Sequence, residues 1–267
     1  MELVIGFILG GLIGLLAYRA GALSRSGGFA ATLVGGLIFG LGGFPWAVLL
    51  MAFFISSSLL SRAFSRRKIN LSDKISKGSR RDAGQVAANG SLAAILAVLY
   101  ALAPEQDWQW IAFAGAMAAV NADTWGTELG MLSPGLPRLI TNGQVVERGT
   151  SGGVSLMGYA AAFGGALLIG IGAGGLSAVE GSFVLVLLVV TLAGLLGSSF
   201  DSLLGATVQA IYFCPKCEKT TERHPSHTCG TRTTHHRGWR WLNNDMVNFA
   251  CSFVGSVSAV ILWQLFV

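Results

Sequence analysis

Asp123 and Glu128 lie in the stretch Asn121-Ala-Asp-Thr-Trp-Gly-Thr-Glu-Leu-Gly130, which closes an apolar run from Trp110 to Val120. A carboxylate in or beside hydrocarbon costs on the order of a few kcal/mol, so its presence there is a site hypothesis by default. On a helix, Asn121, Thr124 and Glu128 share one face, and Asp123 and Thr127 share another beside Gly126 and Gly130. Mg²⁺ takes one or two protein carboxylates and completes its shell with substrate phosphates. The plainer alternative is an acid paired with an arginine at the membrane interface. A second acid, Asp201, stands in Gly194-x-x-Gly197-Ser198-x-x-Asp201-x-x-x-Gly205-x-x-x-Gln209. A third, Asp245, opens the last apolar run beside Asn244 and Asn248. Asp245 reads equally well as a helix cap favoured by the dipole. The expected Mg²⁺ ligands are therefore Asp123 and Asp201, with Glu128 and Asp245 as helpers.

Phosphate-binding residues accompany these acids. Lys77-Gly-Ser-Arg-Arg-Asp-Ala-Gly-Gln-Val-Ala-Ala-Asn89 leads a basic cluster into a polar stripe. Arg81, Asp82, Gln85 and Asn89 fall within about 100° of one another on a helix. Arginine forks match phosphate oxygens and lysine acts as a point charge. Positive flanking of a membrane span explains Arg66 to Lys68 well, but it explains Gln85 and Asn89 poorly. A second block, Glu147-Arg-Gly-Thr-Ser-Gly-Gly-Val-Ser155, precedes another apolar run. Glycine-rich backbone at a helix N-terminus binds anions. It is not a Walker loop, because no Gly-Lys-Ser/Thr follows. A Ser/Thr cap with glycine for the turn is the bland reading. The expected roles are phosphate neutralisation by Lys77, Arg80, Arg81 and Arg148, a triphosphate cradle at Thr150, Ser151, Gly152 and Gly153, and orientation of oxygens by Asn89 and Asn121. Together these make a phosphoryl- or nucleotidyl-transfer site at a lipid boundary.

A separate cluster lies in the polar stretch Cys214-Pro-Lys-Cys217, followed by His224, His227 and Cys229. C-x-x-C spacing with Cys and His further on suits a closed tetrahedral Zn²⁺ site. The expected ligands are Cys214, Cys217, Cys229 and His224, with His227 as the alternative fourth. Loop cysteines without a metal are the competing reading. His235 and His236 read as exposed loop residues.

The elements that must carry these residues are membrane helices. The chain has 267 residues, a mean hydropathy of +0.62 and only 12% charged residues, a balance foreign to soluble domains. Its 37 glycines suit close helix packing in lipid. The expectation is one all-α polytopic membrane domain over residues 1–267, with a loop at 202–246 holding the zinc candidate. Eight apolar spans are expected: Leu3–Tyr18, Phe29–Leu41, Pro45–Leu60, Gln85–Ala103, Trp110–Gly126, Val154–Ala173, Ser182–Phe200 and Val247–Phe266. The second and third are short enough to form a re-entrant pair instead. The first reads as a retained span, since no basic stretch precedes it.

All 18 Lys and Arg residues then fall in odd-numbered loops, and the even loops hold only Glu105, Asp107 and Glu180. The positive-inside rule makes the odd loops cytoplasmic and both termini external. The expected location is the cell (inner) membrane, with every chemical motif on the face where nucleotides are available. The net charge of +5 sits in loops, which points to topology and anionic ligands and away from nucleic acid.

These blocks, with Gly197-Ser-x-x-Asp-Ser-Leu-Leu-Gly-Ala-Thr-x-Gln and Asn243-Asn-Asp-x-Val-Asn, resemble a widespread integral-membrane family that includes plant phytyl-phosphate kinase and human transmembrane protein nineteen. More distantly, Asp123-Thr through Glu147-x-Gly-Thr-x-Gly-Gly looks like the pattern of CTP-dependent lipid kinases and CDP-lipid synthases. Ala122 replaces a glycine of that pattern, and Arg148 interrupts its Glu-Gly pair. The resemblance implies phosphate transfer from a nucleoside triphosphate such as CTP to an isoprenyl monophosphate, with the lipid bilayer as the working environment. The alternatives are an isoprenoid alcohol kinase, a CDP-lipid synthase or a transporter of an anionic metabolite. The clustering of polar groups at one membrane edge favours an enzyme over a transporter, whose polar breaks lie near the midplane.

Overall fold

The computed structural model describes residues 1–64, 80–104, 107–177 and 183–267. Among them are seven helices: α1 Glu2–Arg19, α2 Arg25–Ala63, α3 Ala83–Leu102, α4 Trp108–Gly130, α5 Leu156–Gly175, α6 Phe183–Thr207 and α7 Asn244–Phe266. Six are long and apolar enough to cross a membrane. The protein is thus a helical membrane protein.

Helix α1 packs against the first part of α2 through small residues. Gly6 lies against Gly36 and Gly40, Gly10 against Thr32 and Gly36, and Gly14 against Gly28 and Thr32. The pairing runs antiparallel, and its four-residue spacing lets two backbones meet with no side chains between them.

Helix α2 is broken at Gly43, whose φ of 76° and ψ of −163° are non-helical. Only glycine takes that conformation at little cost, and Pro45 removes a further helical N–H. The chain reverses there. Gly27, at the start of the first arm, packs on the Arg81 backbone. Midway along the second arm, Phe53 lies under the Arg81 guanidinium at 5.1 Å, and near its end Arg62 approaches Gly21. The two short apolar runs are therefore the arms of one antiparallel hairpin. At 1.5 Å per residue each arm is about 27–30 Å long, comparable with the hydrocarbon core.

Helix α4 is the hub. It packs against α2, α3, α5, α6 and α7, and every residue from Gln109 to Ala122 is buried. At the end of the bundle away from the basic loops, Trp46 contacts Tyr100, Trp110 and Phe113 at ring-centroid distances of 5.2, 5.9 and 4.3 Å.

The helices α3, α5 and α7 all start at the opposite end. Their caps are Asp82, Ser155 and Asn243, each accepting a backbone N–H three residues on. The cap of α7 is thus Asn243, and Asp245 sits in the first turn instead. Helix α6 continues to Thr207, which places Asp201 inside the helix. The polar loops add short strands that the apolar pattern does not announce. β1 Arg138–Leu139 pairs with β2 Gly153–Val154. After α6, β3 Ile211–Cys214 lies between β4 Lys219–Thr221 and β5 Thr234–Arg237 in an antiparallel sheet.

Candidate functional site

A cavity of about 490 Å³ opens at the end of the bundle where α3, α5 and α7 begin and α4 and α6 finish. It is large enough for a nucleotide-sized ligand. Three elements bring acids to it: α4 carries Asp123 and Glu128, α6 carries Asp201, and the segment after β4 carries Glu222. Facing them are Arg81 and the polar stripe of α3, Gln85 and Asn89. The loop between β1 and α5 contributes Arg148, Gly149, Thr150, Ser151, Gly152 and Gly153.

Local structure explains how each group is held. Glu128 Oε1 accepts a 2.6 Å hydrogen bond from Ser61 Oγ on the second arm of α2. Arg148 Nη2 donates to the carbonyls of Ser133 and Pro134 at 2.8 and 2.9 Å, which fixes the guanidinium across its loop. Gly152 has a φ of 78°, and a Cβ there would run into the backbone of Ala206 on α6. Glycine is therefore needed both for the turn and for the seating of the loop on α6. Ser155 is the helix cap that the sequence suggested, but Thr150 to Gly153 lie before it and line the cavity. Burial pushes the Arg81 guanidinium down to about 10, with Glu128 opposing, so it remains a cation at neutral pH.

Polar atoms of this cavity that are buried without a hydrogen-bond partner among the described residues include Gln85 Oε1, Arg148 Nε and Asp201 Oδ2. Buried polar groups are almost always paired in folded proteins. An acceptor on one wall and a donor on another, both left open, are what a bound cation and a bound anion would satisfy. The donor set of Asp123 and Asp201 suits a hard, oxygen-preferring cation such as Mg²⁺.

Some of the expected residues lie elsewhere. Asn121 does not line the cavity. It is fully buried, donates through Nδ2 to Gly165 O at 2.8 Å and accepts from Ser56 and Ser57. Its amide ties α4 to α5 and α2. Arg80 turns away, donating to Leu23 O at 2.9 Å with its guanidinium over the Tyr18 ring. Asp245 is not among the lining residues, although its neighbours Asn244 and Asn248 are. Lys77 lies outside the described residues.

The sequence reading gave no role to Glu222, which lines the cavity and accepts from Ser151 Oγ at 2.6 Å and Gln209 Nε2 at 3.0 Å. No periodicity marks it, because it sits in a polar loop. The nearest signal was the Cys/His spacing around it.

That spacing does build a cluster. Cys214, Cys217, His227 and Cys229 place one ligand-capable atom each within 4.8 Å of all the others. The fourth member is His227 and not His224. His227 Nδ1 lies 3.3 Å from Cys229 Sγ, whereas His224 stacks on Tyr212 with ring centroids 4.4 Å apart. The Thr231 hydroxyl first, and His227 next, hold the Cys229 thiol down to about 5. Hydrogen bonding to Cys229, then burial, pushes Cys217 up to about 11. Three thiols and an imidazole converging in this way fit a tetrahedral Zn²⁺ site.

Fold and site together define a helical integral-membrane protein with an acid- and arginine-lined cavity at one end of its bundle. The chain belongs to the DUF92 family of integral membrane proteins, whose model matches residues 8–256. It is 32% identical to Protein PGR of Arabidopsis thaliana over 287 residues, covering 98% of each chain. It is also 26% identical to an uncharacterized membrane protein of Methanocaldococcus jannaschii, covering 98% of this chain and 95% of that one. An uncharacterized membrane protein of Synechocystis sp. is 24% identical over 86% of this chain and 78% of its own. No solved structure matches the chain.

Proposed function

We propose that the protein is a kinase that transfers a phosphoryl group from a nucleoside triphosphate, CTP in the first instance, to an isoprenyl monophosphate. The observation that carries this reading is the set of open polar atoms in one cavity, with Asp201 Oδ2 on one wall and Arg148 Nε on another. A site for triphosphate and divalent cation needs both. The choice of CTP rests on the likeness of the Asp123 and Glu147–Gly153 blocks to CTP-dependent lipid kinases.

In this reading Asp123 and Asp201 hold Mg²⁺, and the ion neutralises phosphate charge when bound. Arg81 and Arg148 supply fixed positive charge at the phosphates. Backbone N–H groups of Thr150 to Gly153 cradle the triphosphate. A phosphate oxygen of the acceptor attacks the γ-phosphorus. The bond from the γ-phosphorus to the bridging oxygen breaks, and that oxygen leaves on CDP with the electron pair. The product is an isoprenyl diphosphate. The attacking oxygen is already ionised, so the residues position and neutralise and need not remove a proton. By the positive-inside rule, the basic loops at this end support a reaction at the cytoplasmic face of the cell membrane.

The test is purified protein with Mg²⁺, labelled CTP and a panel of phytyl, geranylgeranyl and farnesyl monophosphates, with products resolved by mass. Isoprenyl diphosphate and CDP are expected. A CDP-lipid with pyrophosphate would make the protein a synthase. No nucleotide turnover with folded protein would sink the enzyme reading and favour transport.

A further inference from the structure

Glu222 reaches the cavity by an unusual route. It follows β4 directly, and β4 pairs with β3 in the register Cys214 to Lys219 and Tyr212 to Thr221. The ligand-capable cysteines Cys214 and Cys217 therefore sit at one end of this strand pair and Glu222 at the other. His227 and Cys229 follow it in the chain, so Glu222 lies between the two halves of the cluster. Its exit is clamped as well, since Thr233 Oγ1 donates to Arg223 O at 3.0 Å and Pro225 O at 3.3 Å. The sheet is fastened to α6: Arg237 donates to the carbonyls of Gly205, Ala206 and Thr207, at 2.9, 3.3 and 3.1 Å.

Within the cavity, Glu222 is close enough to interact electrostatically with both Asp123 and Asp201. Three carboxylates sharing a buried space repel one another unless a cation joins them. Of the arginines nearby, Arg81 faces Glu128 and Arg148 is held by two carbonyls, while Arg223 lines the cavity and Arg237 faces Glu222. Asp201 Oδ2, buried and without a partner among the described residues, marks an open coordination position in the same cavity. We infer that Glu222 is the third carboxylate of a divalent-cation site with Asp123 and Asp201, and that a metal held by Cys214, Cys217, His227 and Cys229 is what places it there. This rests on the proposed metal-and-phosphate reading of the cavity, and it deepens that reading. The soft-ligand site binds a thiophilic ion tightly and does no chemistry. The hard-ligand site binds the working ion only when the sheet is formed.

The test uses the full chain in detergent, loaded with zinc, and Mn²⁺ as a paramagnetic probe titrated by electron spin resonance. The wild type is expected to bind Mn²⁺ saturably. Glu222→Gln is expected to weaken that binding at least tenfold with little change in melting temperature. Glu218→Gln, the same charge change in the turn between β3 and β4 and outside the cavity, is expected to leave it unaltered. Stripping zinc with a thiophilic chelator is expected to weaken Mn²⁺ binding at least tenfold in the wild type, to have little further effect in Glu222→Gln, and to be reversed by zinc. Mn²⁺ affinity in Glu222→Gln within twofold of wild type would overturn the inference. So would equal losses on zinc removal in both proteins, which would make the sheet a general brace. Phosphoryl transfer is assayed in parallel. Mn²⁺ results as expected with no phosphorylated product would keep this site and remove the kinase reading. Kinase activity with Mn²⁺ binding indifferent to Glu222 would do the reverse.

Discussion

At one end of the bundle Trp46 packs against Tyr100, Trp110 and Phe113; at the other, Asp123, Asp201 and Glu222 share a cavity with Arg81 and Arg148. The same helices supply both. Trp110, Phe113, Asp123 and Glu128 all belong to α4, and Trp46 and Ser61 belong to one arm of α2. The aromatic end fills space; Trp110 Nε1 and Gln109 Oε1 are buried there without a hydrogen-bond partner among the described residues, and neither residue lines the cavity. The polar end holds a cavity and leaves buried atoms open. Under the proposed function, a ligand would meet the open atoms that border the cavity. In that reading the aromatic end stabilises the helices, and the polar end holds groups in place for a ligand.

Asp201→Asn gives the sharpest break. It is expected to lower phosphoryl transfer by about 100- to 1,000-fold with the melting temperature nearly unchanged. A large fall in stability instead would mean that Asp201 is structural. Trp46→Ala is the mirror experiment. It is expected to cost about 3–5 kcal/mol of stability and to leave the KM for nucleotide within twofold of wild type, both read at a temperature where the variant is folded. Gly152→Ala tests the seam between loop and helix. The positive φ and the Ala206 backbone both oppose a Cβ, and a cost of about 1–3 kcal/mol should appear together with a raised nucleotide KM. An unchanged KM would show that the loop does not touch nucleotide. The smallest effect is expected at Tyr159, whose hydroxyl lies 3.2 Å from Ser199 Oγ at the exposed edge of the cavity. Tyr159→Phe should shift stability by less than about 1 kcal/mol, and thermal melting with turnover shows whether that edge matters to either function.

Much of the helical frame was legible because apolar runs of membrane length leave little choice of structure. Asp123, Glu128, Asp201 and Asn89 on helices, and Arg81, Arg148 and Thr150–Gly153 in the segments that lead into helices, line one cavity. Asn121 was harder to read. A polar residue in an apolar run looks the same whether it awaits a ligand or pairs with a carbonyl, and here it pairs with Gly165. Arg80 and Arg81 are adjacent, and only the backbone path decides that one turns to Tyr18 and the other to the cavity. Spacing alone did not choose His227 over His224. Glu222 left no trace, since a loop residue positioned by a strand pair has neither period nor apolar neighbour to betray it.

The burial of α4 has a consequence for how the chain is made. It is the hub, yet it is absent from the helices apolar enough to cross a membrane on their own composition. Its surface is matched to protein rather than lipid, with many alanines and glycines along it and carboxylates near its end. The ribosome releases α4 before α5, α6 and α7 exist. Entry into the bilayer is governed by the apolarity of the entering segment, so α4 must wait at the translocation machinery, or lean on the α2 hairpin and α3, until its later partners arrive. The helix on which the site depends is therefore the one whose insertion depends most on the others.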